Sequence, residues 1–503
     1  MANDHVLSER RERPWLFHQP RKLRVVGGQL RSKLELNRLR KVSQMARFFD
    51  GASGLRLGLS ILGLALLSPA CGGAGSAPSG AGGSNGSGGA GSVGGFATTH
   101  AGGCAPLPEP SGSVIEVTPA QADELPGIVR DAPAGATILL ADGTYTMTGA
   151  DEASRRIQIV SPRITLRSKS RTRSGVILDG EYVTEEIITI SASNVTVADL
   201  TVRRALHHPI HVTGGPDGDV WSTVLHNLHI MDAGQQFVKV NASGRTPDTY
   251  ADHGVLECSL FELTAAGRSN VASEPGGCYT GGIDGHEARG WRVHKNIFRD
   301  IACDNGSLAE HAIHFWRGSR DTMVEDNLII DCARGIGFGL GDGSNVDSQR
   351  AYLDNPYPSV DYVGHYDGTI RNNMIAISSE FAFFDTGIEL EQARGTKVLH
   401  NTVIHPDTAF ASISHRFADT RVVLENNLVR TIRGRDGSEA SGSTNVEHAP
   451  DDLFVDVAVH DLHLRKSAAL AIDQGEVVTD SGNDIDGDVR DAAPDIGADE
   501  IDP

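Results

Sequence analysis

One short unit recurs along the middle of the chain, between about Leu206 and Val429, and it limits the possible folds more than any other feature. A small residue and Ile open a short alternating strand, a turn follows, and the unit closes on Val-x-x-Asn and two apolar residues. Its clearest copy runs from Gly387-Ile388 to Asn401-Thr-Val-Ile. Others end at Asn296, Asn327, Asn373 and Asn427, so the Asn-to-Asn steps are 31, 46, 28 and 26 residues. Earlier copies read Val224-Leu-His-Asn227 and Val255-Leu-Glu-Cys258, the latter with Cys in place of Asn. A repeat of this length, made of β-rich pieces rather than helical faces, is a solenoid signature. The predicted fold is all-β: a single-stranded right-handed parallel β-helix over residues 114–503, its Asn side chains stacked from coil to coil.

The ends need covers, because an open coil leaves unpaired strand edges. Thr118-Pro119-Ala-Gln121 reads as an N-cap, a first-turn Pro and a capping-box Gln. It predicts a short helical cap to about Leu125, broken by Pro126-Gly127. Ala134 to Tyr145 then gives strand, Asp142-Gly turn, strand. The tail from Asp484 to Glu500 is acidic, but its Gly487 and the spacing of its acids do not match an EF-hand. It reads as a solvated closing turn.

Ahead of the repeat the composition changes. Residues 1–44 read as a mis-assigned N-terminal extension, with Met45 as the start. Leu57 to Leu67 is an apolar core of signal-peptide length, too short to span a bilayer. Ser68-Pro-Ala70-Cys71 offers a cleavage site, so 45–71 reads as a signal of lipoprotein type with Cys71 as the acylated residue and the outer membrane as its partner. A plain cut after Ala70 is the alternative. Residues 72–113, almost wholly Gly, Ser and Ala up to Gly103, read as a flexible tether. Within the solenoid, Cys278 and Cys303 lie about one coil apart and suit a disulfide in an exported protein. Cys258 and Cys332 read as small buried hydrophobes.

Charge limits the partners. The whole chain carries −20; residues 1–70 hold 13 basic and 5 acidic residues, leaving 32 against 60, or −28, for 71–503. Phosphate binding needs a basic face, so nucleic acid is excluded as a partner. A polyanion would need a locally basic groove or a bound cation. The chain reads as a monomer.

Strand alternation separates core from surface. If each coil's leading Ile points inward, the residues one and three after it point outward. That row comprises His211 and Thr213, Lys239 and Asn241, Asp284 and His286, His314 and Trp316, Gly337 and Gly339, Glu389 and Glu391, Ser414 and Arg416. Gly337 and Gly339 form a bare strip on which a sugar ring could lie. The insertion Gly341 to Asp367 carries Tyr352, Tyr357, Tyr362 and Tyr366, half of the chain's eight tyrosines. It predicts a groove wall, with Tyr352, Tyr357 and Trp316 as stacking platforms. Asp284, His286, Gly337 and Gly339 complete the expected substrate-binding surface.

With these residues in view, the chain resembles right-handed β-helix proteins of the pectate-lyase-like superfamily. The nearest likeness is to polysaccharide lyases of the chondroitinase B and alginate lyase type. The resemblance implies a Ca²⁺ ion held by a carboxylate pair at i and i+2, here Glu389 and Glu391, and a proton-transferring Arg on the next coil, here Arg416. Where that type carries its Lys base, this chain has Thr396; Lys397 is adjacent, and His314 is the other candidate base. Three expectations follow: a lyase on uronate-containing polysaccharide, a non-catalytic glycan-binding surface protein, or a glycoside hydrolase.

Overall fold

The computed structural model describes residues 104–272, 277–344 and 349–501, all within one of the chain's two compact units. The extension, the signal with Cys71 and the tether up to Gly103 lie outside them. Successive coils stack parallel and in register into three long sheets. One coil shows the plan: Thr386–Glu391 enters the second sheet, Ala393–Leu399 the first and Thr402–Ile404 the third. The fold is a right-handed parallel β-helix.

Its core follows from the leading apolar positions. Ile188, Ile210, Val238, Ile283, Ile313, Ile336, Ile388 and Ile413 pair in one continuous row across the second sheet, and all are fully buried. Each such side chain gains ~1.5–3 kcal/mol by burial. Phenylalanines stack alongside, with Phe261 and Phe298 4.4 Å apart between ring centroids.

The asparagines form a buried ladder at one corner. Asn296 Nδ2 donates to Asn327 Oδ1 at 3.0 Å, Asn327 to Asn373 at 3.0 Å, Asn373 to Asn401 at 2.9 Å and Asn401 to Asn427 at 3.0 Å. Each also caps backbone carbonyls, so no buried amide goes unpaired. The earliest copies are displaced from the expected register by one residue. Leu225, not Val224, pairs through Leu256 to Val293. Asn227 and Cys258 therefore occupy the left-handed turn just before the ladder, at φ of 49° and 58°, and Ser259 stands where Asn would. Alternation decides it, because Leu225 must face inward.

Other expectations change at the ends. Pro119–Gln121 is a 3₁₀ turn with the Thr118–Gln121 capping box, but the cap helix proper is Leu125–Asp131. Pro126 starts this helix rather than breaking it, because its missing N–H falls in the first turn, where no partner is needed. Cys258 is not a reduced hydrophobe: it is disulfide-bonded to Cys104. That bond, with Arg167 Nη1 donating to the Pro108 carbonyl at 3.1 Å, fastens residues 104–113 to the solenoid instead of leaving them as tether. Cys278 and Cys303 are joined by a second disulfide, and Cys332 is buried and reduced. Two disulfides suit an oxidising compartment.

The acidic tail is a built cap, not a solvated turn. Asp484 is 1% exposed and accepts the backbone N–H groups of Asp486, Gly487, Asp488 and Glu500. Arg490 pairs with Glu500, and Ile485, Ile496 and Ala498 pack on the outside of the third sheet against Leu328, Met374 and Leu428.

Candidate active site

The second sheet carries the titratable row in the register that alternation predicts. His211, Lys239, Asp284, His314, Gly337, Glu389 and Ser414 are consecutive partners, as are Glu391, Arg416 and Arg435. The row differs from expectation in one respect. Most of it is sealed from solvent.

Asp284 is 5% exposed and Trp316 7%. Asp284 binds Lys239, accepts Trp316 Nε1 at 2.9 Å and lies 3.1 Å from His286 Nε2. Lys239 also meets His286 at 2.9 Å. This is a closed network of satisfied buried groups. Asp284, His286 and Trp316 therefore form a sealed network along the row and do not form a sugar platform. His314 is 1% exposed, with Nε2 donating to the Gly339 carbonyl at 3.0 Å. Burial, reinforced by His311, pushes its pKa down to about 4. It is neutral but out of reach, so it is not the substrate's proton acceptor.

The glycine strip is not an open floor either. The His311 imidazole lies over Gly337, where an added Cβ would come within 2.8 Å of three ring atoms. Gly339 has φ +77° and turns the chain toward the insertion. Tyr352 and Tyr357 pack on the base of that insertion: Tyr352 donates to the Gly318 carbonyl at 2.7 Å and Tyr357 to Asp367 at 2.6 Å. Both contact Tyr366 beside the first sheet, so neither walls the groove. Lys397 lies on a first-sheet strand, paired with Asp480, and contributes nothing to the second sheet.

Glu389, Glu391 and Arg416 are brought together. Glu389 Oε2 lies 3.2 Å from His311 Nε2 and Oε1 3.7 Å from Arg435 Nη2. Glu391 Oε2 accepts the Gly341 backbone N–H, and Oε1 lies 3.8 Å from Arg416 Nη1. The two carboxyls part in acidity. For Glu389, burial is outweighed by the His311 bond and the charges of Arg334 and Arg435, which hold it down to about 2. For Glu391, burial and the negative Glu389 push it up to about 7. Two acids held apart in this way suit proton transfer near neutrality.

The same geometry answers the calcium expectation. All four oxygens of the pair face cationic or N–H groups, whereas Ca²⁺ takes about six to eight oxygen ligands. As arranged, Glu389 and Glu391 do not fit a calcium ion.

Sequence reasoning missed Arg334, Arg433 and Arg435. Arg433 is exposed and pairs in register with Ser414. The guanidiniums of Arg433 and Arg435 lie 4.9 and 4.6 Å from the Phe410 ring centroid, and Arg416 lies 4.6 Å from that of Phe417. Arg334 acts on both glutamates from within. The signal was one further coil, Ile432-Arg-Gly-Arg435, whose ladder residue Asn445 accepts from Asn427 Nδ2 at 2.8 Å; it escaped the repeat because Gly442 stands where the other copies carry an apolar residue three before the Asn.

No family model and no curated protein matches the chain. Among solved structures it is similar to pectate lyase Pel9A, at 13% identity and TM-score 0.49, covering 78% of this chain and 97% of that one. An alginate lyase from Paenibacillus sp. aligns at 12% identity and TM-score 0.34, over 66% and 99%. The catalytic unit of an α-1,3-glucanase from Streptomyces thermodiastaticus aligns at 13% and 0.37, over 68% and 70%. The likeness is one of fold alone.

Proposed function

We propose that the protein is an exported enzyme that binds a uronate-bearing polysaccharide at the Glu391–Arg416–Arg435 row and cleaves it by β-elimination. One observation carries this: Arg416, Arg433 and Arg435 present guanidiniums on adjacent coils beside Glu389 and Glu391, on a segment whose net charge is −28. Arg416 also pairs with Asp436; three guanidiniums gathered on so acidic a segment favour a polyanion, and guanidinium matches carboxylate in geometry.

In this reading Arg416 and Arg435 neutralise the uronate carboxylate, the role the resemblance gave to Ca²⁺. Glu391, ionised, takes the proton from the carbon next to that carboxylate. The C–H electron pair becomes a C=C bond as the glycosidic C–O bond on the next carbon breaks, its electron pair leaving with oxygen, and that oxygen takes a proton from water. An unsaturated uronate and a new hydroxyl result. Acylation of Cys71 would hold the domain at the outer membrane surface.

The test is incubation with alginate, pectate and glycosaminoglycans, following ultraviolet absorbance and reducing ends together. Rising absorbance supports elimination. Reducing ends without absorbance mean hydrolysis, and saturable binding without either means a glycan-binding protein; both outcomes overturn the proposal.

A further inference from the structure

At the middle of the row, three side chains bring together ligand atoms that the proposed proton transfer does not use. Glu310, His311 and His314 offer one ligand atom each, all within 4.8 Å of one another. The loop before the His311–Trp316 strand delivers Glu310, and the strand delivers both histidines, their ring centroids 4.5 Å apart. All three are buried, at 9%, 1% and 1% exposure.

The histidines are held for a purpose their own bonds do not explain. His311 places Nε2 3.2 Å from Glu389 Oε2, and His314 places Nε2 3.0 Å from the Gly339 carbonyl. Each imidazole is thereby fixed as an Nε2–H donor, leaving Nδ1 as a lone-pair acceptor. His311 Nδ1 is buried with no hydrogen-bond partner. His314 Nδ1 lies 3.7 Å from Glu310 Oε2 and 3.8 Å from Asp284 Oδ1, acceptors facing an acceptor. Asp284, Glu310 and Glu389 gather around the pair, against the buried cations Lys239 and Arg334. An unpartnered buried acceptor is costly, and a cation held beside Glu310 and His314 that also took His311 Nδ1 would remove that cost.

We infer that Glu310, His311 and His314 form a binding site for a divalent metal ion of the zinc class. Two imidazoles and a carboxylate suit Zn²⁺, at ~2.0–2.2 Å per bond. Drawing atoms within 4.8 Å onto such an ion takes shifts of roughly 1 Å or less. The Glu389–His311 and Gly339–His314 bonds are the outer partners that metal-bound histidines characteristically carry. Two other groupings do not compete: Cys258 of His226–Glu257–Cys258 is disulfide-bonded, and His463 of His463–Asp486–Asp499 already pairs with Asp461 and Asp486. The inference stands independently of the glycan reading.

The test uses the full exported chain, stripped with chelator and titrated with Zn²⁺ by calorimetry, with bound metal counted by mass spectrometry. One equivalent per chain is expected. Glu310→Gln and His311→Gln should each weaken it by about 100-fold or more. Glu389→Gln, which removes only an outer partner, should weaken it about 10–100-fold, and His463→Gln should leave it unchanged. No binding, or binding that ignores Glu310→Gln and His311→Gln, overturns the inference. Should those variants fail to fold, Co²⁺ substitution in the wild-type chain decides. Strong visible bands of low-coordinate, nitrogen-ligated Co²⁺ support the site, and the pale spectrum of six-coordinate, oxygen-ligated Co²⁺ overturns it.

Discussion

His311 reaches across an intervening coil to bring Nε2 within 3.2 Å of Glu389 Oε2. The strand between them carries Gly337, and the missing side chain there is the gap through which the imidazole passes. Glu389 thereby stays ionised, and its charge helps keep Glu391 a weak acid.

Gly337→Ala should close that gap. Its Cβ would lie 2.8 Å from the ring, forcing His311 off Glu389. Overpacking of this kind costs about 1–3 kcal/mol, read as a lowered urea midpoint together with reduced activity. An unmoved midpoint and unmoved activity would show that the ring gives way without consequence.

The pH profile should report Glu391. A base must be ionised, so kcat/KM should rise with pH through about 7. Glu389→Gln removes the neighbouring negative charge and lowers the Glu391 pKa, so the rising limb should move to lower pH. A limb that stays in place would remove Glu391 from the proton transfer.

The architecture was legible because the Ile and Asn positions are set by alternation and burial, which a repeat prints directly into sequence. The outward row was legible to the residue for the same reason. Its exposure was not. Asp284 and Trp316 are sealed by pairing with each other and with Lys239 and His286, groups drawn from three different coils. Arg435 was hidden because its coil has Gly442 in place of the apolar residue that opens the motif before Asn445, and Tyr352 because an insertion's fold is not periodic.

Asn373 lies mid-ladder, donating to the Val324 and Arg371 carbonyls and to Asn401 while accepting from Asn327. Asn373→Ala leaves several buried partners unmatched, at ~1–3 kcal/mol each. A loss of about 3 kcal/mol or more in denaturant unfolding is expected. A loss under 1 kcal/mol would mean the ladder is not a principal source of stability.

The C-terminal cap should loosen in alkali. Burial lowers the His463 pKa, but Asp486, Asp499 and Asp461 outweigh it and raise the pKa to about 9. A raised histidine contributes stability that is whole below its unfolded value of about 6.5 and is lost as pH rises through the folded one. Thermal melts should therefore decline from pH 7 to 9 in the wild type and less steeply in His463→Gln. Parallel declines would contradict this.

The central claim is that guanidiniums, not calcium, prepare a uronate for proton removal by Glu391. Its most direct measurement is ultraviolet absorbance from a uronate polysaccharide in the presence of a calcium-selective chelator, for the wild type, Glu391→Gln and Arg435→Ala. The account predicts unsaturated product from the wild type, none from Glu391→Gln, and about tenfold or greater loss of kcat/KM in Arg435→Ala, as expected when a charged hydrogen bond is removed. Product that vanishes with calcium, or persists in Glu391→Gln, would contradict it.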